Sequence, residues 1–77
     1  MLSENLHPLE YDPTKSVRLD YTNWIGERRY RFIVPKSLVF KKTEHHGKPQ
    51  WLLLAYDIEK REDRYFALAA IHEWKNE

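Results

Sequence analysis

At 77 residues with no cysteine, the chain is long enough for one domain and can form neither disulfides nor thiolate metal sites. Charged residues make up 32% and aromatic residues 14% of the sequence, a composition typical of a compact globular domain. No apolar run reaches the roughly 20 residues that a membrane-spanning helix needs, and the N-terminus lacks the features of a signal peptide. We therefore expect a cytoplasmic protein without a membrane partner.

The formal net charge of +1 is unevenly distributed along the chain. Between residues 28 and 48, lysine and arginine outnumber acidic residues seven to one, whereas acidic residues are in excess on both sides. A local basic patch holds an anion whatever the total charge is. The middle of the chain is therefore where an anionic partner would bind.

The N-terminal part differs from the rest. Residues 1–16 contain two prolines and no steady hydrophobic period, which predicts an irregular arm anchored by Leu6, Leu9 and Tyr11. Residues 17–77 are expected to form the single domain.

Five segments of that domain have the alternation or the apolar content of β-strands. They are Val17–Thr22, Arg28–Val34, Ser37–Lys42, Trp51–Asp57 and Arg64–Leu68. The unbroken apolar run from Trp51 to Tyr56 predicts a central strand buried on both faces. Pro35 is expected to end or bend the second strand, and the apolar spacing within Ala69–Lys75 predicts a short closing helical turn.

The second strand alternates in a way that sets its expected orientation. We expect the apolar residues to face the core and the arginines to face solvent. The inward set is Tyr30, Phe32 and Val34, and the outward set is Arg29, Arg31 and Ile33. Short strands joined by tight turns predict an all-β fold, a small five-stranded antiparallel barrel.

The order of several short motifs resembles the WYL domain, a family named for a Trp-Tyr-Leu signature. These motifs are Tyr21-Thr22-Asn23 before Gly26-Glu27, then Trp51-Leu52-Leu53 with Ala55-Tyr56, and Arg64-Tyr65-Phe66-Ala67-Leu68 before Ile71. The chain is also similar to short bacterial and phage proteins with the same opening and a Thr-Glu-X-His turn. The resemblance implies a stand-alone, minimal domain with an Sm-like or Src-homology-3-like barrel. It also implies a surface that senses nucleotides or nucleic-acid fragments, to which Arg29 or Arg31, Trp51 and Arg64 correspond.

The residues themselves point to a similar site. Arg29 and Arg31 share one strand face, Lys41 follows on the next strand, and Trp24 lies in a hairpin loop. Such a face can neutralise phosphates and stack bases. With Arg64 from the resemblance, these residues form the candidate binding site. The alternative is a solvated outer face whose long side chains cover apolar surface.

The other two tryptophans are expected to be structural. Trp51 begins the central strand and is assigned to the core, whereas Trp74 is expected to cap the barrel end. Trp24 is the aromatic residue expected to face a partner, although it could equally plug the loop.

The turn Glu44-His45-His46 raises the possibility of a metal site or a small ribonuclease. Adjacent histidines on an extended segment point to opposite sides, and no zinc-ligand spacing is present. No nucleophile motif or phosphate-binding glycine loop occurs either. We therefore expect neither a metal, a cofactor nor an enzymatic activity.

The sequence is consistent with two functions. The leading one is a small binding module that recognises nucleic acid or a nucleotide-like anion. The alternative is a protein-protein interaction or homodimerisation module that uses a strand edge or an apolar patch.

Overall fold

The structure, a computed structural model, describes residues 11–76. Within this range five antiparallel strands form one sheet in the order β4-β3-β2-β1-β5. The strands are β1 (Val17–Thr22), β2 (Arg28–Thr43), β3 (His46–Asp57), β4 (Glu62–Ala67) and β5 (Ile71–Asn76). Two 3-10 turns, Pro13–Lys15 and Leu68–Ala70, precede β1 and β5. The all-β, antiparallel prediction is confirmed.

Only β1 has the predicted boundaries, since β3 begins at His46 and not at Trp51, and β4 spans Glu62–Ala67 and not Arg64–Leu68. Two larger differences change the elements themselves. Arg28–Val34 and Ser37–Lys42 belong to one 16-residue strand, because the chain crosses Pro35 with a shift in pairing register between Pro35 and Ser37. A bulge of this kind lets a residue without an amide hydrogen sit inside a sheet.

The second difference lies at the C-terminal end of the domain. The predicted helical turn at Ala69–Lys75 is wrong over most of its length, since Ile71–Asn76 pairs with β1 as a fifth strand. Only Leu68–Ala70 is helical, as a single 3-10 turn. The predicted count of five strands therefore agrees with the structure for a different reason.

The prediction of a closed barrel is also wrong. β4 and β5 are the two edges of the sheet, and in residues 11–76 no backbone ladder joins them. The sheet nevertheless curls strongly, because the three residues of the turn Leu68–Ala70 connect one edge strand to the other. Three residues span only about 10 Å, so the edges approach each other at this end. The result is an open, curled sheet.

The core lies on the inner face of the curl. Its members come from the four strands β1, β2, β3 and β4, and they are Val17, Leu19, Tyr21, Ile33, Leu53, Ala55 and Phe66. Leu52 and Tyr56 on the other face of β3 are buried as well. Burial of β3 on both faces is thus confirmed from Leu52 onward.

The predicted orientation of β2 is inverted over its first half. Arg31 and Ile33 face the core, where they lie opposite Leu19 and Val17 of β1. Tyr30 is 50% exposed, and Phe32 is also exposed. Pairing with β1 decides the phase, because a one-residue change would move every side chain to the other face. The guanidinium of Arg18 covers the exposed Tyr30 ring at 4.5 Å.

The tryptophans also depart from expectation. Trp51 is 54% exposed and not part of the core, because it lies opposite Phe40 where the β2–β3 hairpin extends past the core. The two rings pack edge to face at 5.4 Å. Trp74 is half-exposed on β5, opposite Leu19.

The expected N-terminal arm is described only in part. Tyr11 stacks on Tyr56 with ring centroids 5.4 Å apart, and Asp12 caps the turn Pro13–Lys15 by accepting from Thr14. The predicted anchors Leu6 and Leu9 lie outside the described residues. In the part of the chain that the structure describes, no helix has the length and apolar character required to cross a membrane.

Candidate anion-binding pocket

A pocket of about 500 Å³ lies where three parts of the fold meet. Its walls come from the loop between β1 and β2, the far end of the β2–β3 hairpin, and β4. The buried rings of Tyr21 and Phe66 belong to its lining, so the inner end of the pocket abuts the core. Its size is typical of small-molecule sites.

The loop wall is built on Asn23. The side-chain oxygen of Asn23 accepts hydrogen bonds from the backbone amides of Ile25 and Glu27, at 3.1 and 2.8 Å. Gly26 adopts a φ of 92°, which is strained for other residues. These bonds fix a tight loop and hold Trp24 at the pocket, where it is 61% exposed.

The hairpin wall meets this loop through an aromatic contact. Trp24 stacks on His45 with centroids 4.8 Å apart and an interplanar angle of 20°. The hairpin tip is fixed by Thr43, whose hydroxyl lies 2.7 Å from Nδ1 of His46. Burial, with a smaller effect of His45, lowers the pKa of His46, so this imidazole is neutral at pH 7.

The inner wall carries a buried guanidinium. Arg31 is only 4% exposed, and its Nε has no hydrogen-bond partner among the described residues. Burial lowers the pKa of Arg31, and the charges of Arg29 and Arg64 add to that effect. An arginine stays protonated even so. The fold therefore holds a desolvated positive charge beside the pocket.

Two carboxylates, Asp57 and Glu59, partly balance this charge. Asp57 is 1% exposed, and its Oδ1 accepts from the backbone amide of Lys60 at 3.1 Å. Its Oδ2 lies 4.0 Å from Nε of Arg64 and makes no hydrogen bond within residues 11–76. Two carboxylates, Asp57 and Glu59, thus meet three guanidinium groups, those of Arg29, Arg31 and Arg64, which leaves an excess of one positive charge.

Two lysines extend the positive charge to the rim. Lys41 donates to the hydroxyl of Tyr65 at 2.8 Å, and its Nζ lies 4.3 Å from the centroid of that ring. Lys42 lines the pocket next to it. With Arg31 and Arg64, the described lining holds four basic side chains against Glu44 and Glu62, a formal charge of +2 with neutral histidines.

The structure brings together four of the five predicted site residues. Trp24, Arg31, Lys41 and Arg64 all line this pocket. Arg29 does not line the pocket, and its guanidinium pairs with Glu59 at 3.1 Å. The prediction that Arg29 and Arg31 share an exposed strand face is wrong, because Arg31 is buried. The candidate site is therefore a pocket and not an outer strand face.

The predicted site left out most of the lining, including Lys42, the two histidines His45 and His46, and Tyr65. The basic run and the two histidines are visible in the sequence, but their approach to Trp24 depends on the curl of the sheet. His72 lies elsewhere and contacts the Thr22 hydroxyl at 2.7 Å. Across residues 11–76, no group of three or more histidine, aspartate or glutamate side chains could hold a metal ion.

Comparison with protein-family models gives no match for this chain, and comparison with curated proteins gives no significant match.

Proposed function

We propose that this protein is a small binding module, not an enzyme, that recognises nucleic acid or a nucleotide-like anion in the pocket between Trp24, Arg31, Lys41 and Arg64. The observation that supports it most directly is Arg31. The Arg31 side chain is almost fully buried at the wall of an open pocket, and its Nε has no hydrogen-bond partner within residues 11–76. An anion in the pocket would supply the acceptor that Asp57 does not, which offsets the cost of leaving this donor unpaired.

The charge of the lining supports the same function. An anion in this pocket would meet two guanidinium groups and two ammonium groups. Such groups attract an anion more strongly beside the core than in water, because the local dielectric constant is lower. Arginine in particular donates two parallel hydrogen bonds to phosphate oxygens.

The aromatic rim supplies a surface for a base. The ring of Trp24 is more than half exposed while its loop is fixed by Asn23. A base stacked on such a ring contributes about 1–3 kcal/mol without regard to its sequence. The neighbouring His45 and Tyr65 rings extend that surface.

We propose further that the curled sheet is a minimal Sm-like or Src-homology-3-like domain related to WYL domains. Five antiparallel strands in one curled sheet and a 3-10 turn that joins the two edge strands support this assignment. The signature's middle Tyr corresponds to Leu52 in this chain, which is fully buried. A regulatory role is therefore not carried over.

The experiment is a titration of short fluorescent single-stranded DNA and RNA with the folded protein, at low and moderate salt. We expect micromolar affinity that falls as salt rises, because phosphate contacts release counterions. Arg64→Gln should weaken binding at least tenfold, whereas Lys75→Gln, the same charge change on the exposed strand β5, should leave it within twofold. Absence of binding at low salt would overturn the proposal.

The same samples test whether the protein is an enzyme. A ribonuclease would use His46 as an acid or base, but its Nδ1 already contacts Thr43 and its pKa is lowered by burial. We expect the RNA to remain intact on a denaturing gel after overnight incubation. Cleavage that His46→Ala abolishes would contradict a pure binding role.

Homodimerisation is the second candidate function, and one observation favours it. Leu38, Phe40 and Trp51 lie on one face of the β2–β3 hairpin, and each is more than half exposed. Exposed apolar patches of this kind mark interaction sites, and the small net charge opposes self-association only weakly. Sedimentation of the wild type and of Phe40→Ser over a concentration series would show a dimer that only the wild type forms.

A further inference from the structure

We infer that the pocket selects a terminal phosphate monoester, at the end of a short strand or on a single nucleotide, over an internal phosphodiester. This inference rests on the proposed function, because it names the part of the nucleic acid that enters the same pocket.

The first reason is the position of the buried guanidinium. Arg31 lies at the inner end of the pocket, among residues such as Tyr21 and Phe66 that belong to the core. An internal phosphodiester has a sugar on each side, so it reaches a buried group only if the pocket admits two nucleosides. A terminal phosphate is attached to the strand on one side only, so it can reach the inner end of the pocket ahead of the rest of the strand. A cavity of about 500 Å³ suits one nucleotide better than a continuous strand.

The second reason is the amount of charge. The described lining carries a formal charge of +2 when the histidines are neutral. A phosphate monoester carries about −1.5 to −2 at pH 7, since its second pKa is near 6. An internal phosphodiester carries about −1 under the same conditions. The buried carboxylate of Asp57 beside Arg31 and Arg64 lowers the local excess to +1, so the monoester is not favoured by charge matching. It is favoured because its additional negative charge is attracted more strongly to the two guanidinium groups.

The third reason is the separation of charged and aromatic groups. The two guanidinium groups lie on the core strand β2 and on β4, whereas Trp24 and His45 lie at the loop and the hairpin tip. A nucleotide with its phosphate on Arg31 and Arg64 can direct its base toward the Trp24–His45 stack. Glu44 also favours this placement, because its carboxylate at the tip repels phosphate but accepts a hydrogen bond from a base N–H.

The test compares three thymidine pentanucleotides that differ only at the 5′ end. One carries a phosphate, one a hydroxyl, and one a methyl-esterified phosphate with a single charge. Each competes against a fluorescent strand for the full-length protein. We expect the phosphorylated strand to compete about tenfold better than the other two at pH 7.5, and Arg64→Gln to remove that preference while Lys75→Gln retains it. A 3′-phosphorylated strand shows whether either end is accepted.

The pH dependence of the preference supplies an independent readout. The ratio of the affinities of the phosphate and hydroxyl strands should fall toward about twofold at pH 5.5, where the phosphate holds a second proton. His45, His46, Glu44, Glu62 and Tyr65 also face the pocket, so the methyl-esterified strand, whose single phosphate charge does not change between pH 7.5 and 5.5, is the control for changes in the protein.

The outcomes separate this inference from the proposed function. Equal binding of all three strands, with sensitivity to Arg64→Gln, would overturn the inference and leave the proposed function standing. Failure of every strand to bind at low salt would overturn both. A preference that does not change between pH 7.5 and 5.5 would also overturn the inference, because it would not depend on the second phosphate charge.

Discussion

The phenolic oxygen of Tyr21 accepts a hydrogen bond from the backbone amide of Ala67, with 3.0 Å between the two atoms. This bond joins β1 to β4, which are not neighbours in the sheet. The ring of Tyr21 also packs edge to face on Phe66 at 5.1 Å. These contacts link the inner faces of two distant strands, and so they hold the curl that brings the walls of the pocket together.

Removal of the Tyr21 hydroxyl should therefore destabilise the fold. Tyr21→Phe keeps the ring contact but leaves the buried amide of Ala67 without an acceptor, which costs about 1–3 kcal/mol. Urea unfolding followed by tryptophan fluorescence measures the change. The matched control is Tyr30→Phe, since Tyr30 is half-exposed and should change stability by less than about 0.5 kcal/mol. Equal effects of the two changes would show that the bond to Ala67 contributes nothing.

The Tyr21 hydroxyl should also make the stability of the fold depend on pH in the alkaline range. Burial raises the pKa of the Tyr21 phenol above its usual value, although the bond from Ala67 opposes this shift. The unfolded chain then loses the phenolic proton first, so stability present below about pH 10 is lost as pH rises further. The stability difference between wild type and Tyr21→Phe should narrow between pH 9 and 11. A constant difference would contradict the raised pKa.

Sequence patterns predicted the strand content better than the strand orientation. Val17–Thr22 was predicted to its observed ends because apolar and polar residues alternate without exception. In β2 the residues 30–34 include apolar side chains on both faces, so the alternation alone does not fix the phase. Pairing with β1 fixes it, and that pairing is a long-range property. The bulge after Pro35 is similarly set by the partner strand β3.

The candidate site was also predicted only in part from the sequence. Basic and aromatic residues were visible as types, but their grouping depends on the curl that places Trp24 against His45. Trp51 was assigned to the core because it adjoins an apolar run, yet the hairpin carries it beyond the core. Local pattern cannot show where a hairpin leaves the domain.

The buried residue Arg31 should contribute more to strand binding than the exposed residue Arg29. Arg31→Met removes the charge at the inner end of the pocket, whereas Arg29→Met removes a charge that pairs with Glu59 outside it. We expect the first change to weaken strand binding at least tenfold and to reduce the salt slope by about one phosphate contact. The second should alter affinity by less than twofold. Fluorescence titration at three salt concentrations measures the affinity of both variants. If Arg29→Met weakened binding more than Arg31→Met, the binding site would be the outer strand face.

Trp24 should contribute to binding without contributing much to stability. Because its ring is mostly exposed, Trp24→Ala should change unfolding by less than about 1 kcal/mol. The loss of one stacked base should weaken strand binding by about 1–3 kcal/mol, roughly 5- to 150-fold. Trp74→Ala on β5 is the control for removal of an exposed tryptophan that does not line the pocket. A large loss of stability with unchanged affinity would assign Trp24 a structural role.

Asp57 links the stability of the domain to the charge of its pocket. Asp57→Asn keeps an acceptor for the amide of Lys60 but removes the carboxylate that faces Arg31 and Arg64. Uncompensated positive charge should then destabilise the fold by about 1–3 kcal/mol, less than for a fully buried pair because Arg64 is one-third exposed. The same excess charge should bind anions more tightly.

The two effects of Asp57→Asn have opposite signs, which distinguishes electrostatics from simple disruption. We expect phosphate to raise the unfolding temperature of this variant more than that of the wild type, because at a given concentration a tighter ligand stabilises the folded state more. Sodium chloride at equal ionic strength is the control for screening. If phosphate stabilises both proteins equally, Asp57 does not act on the pocket, and the positive charge of Arg31 and Arg64 is balanced elsewhere.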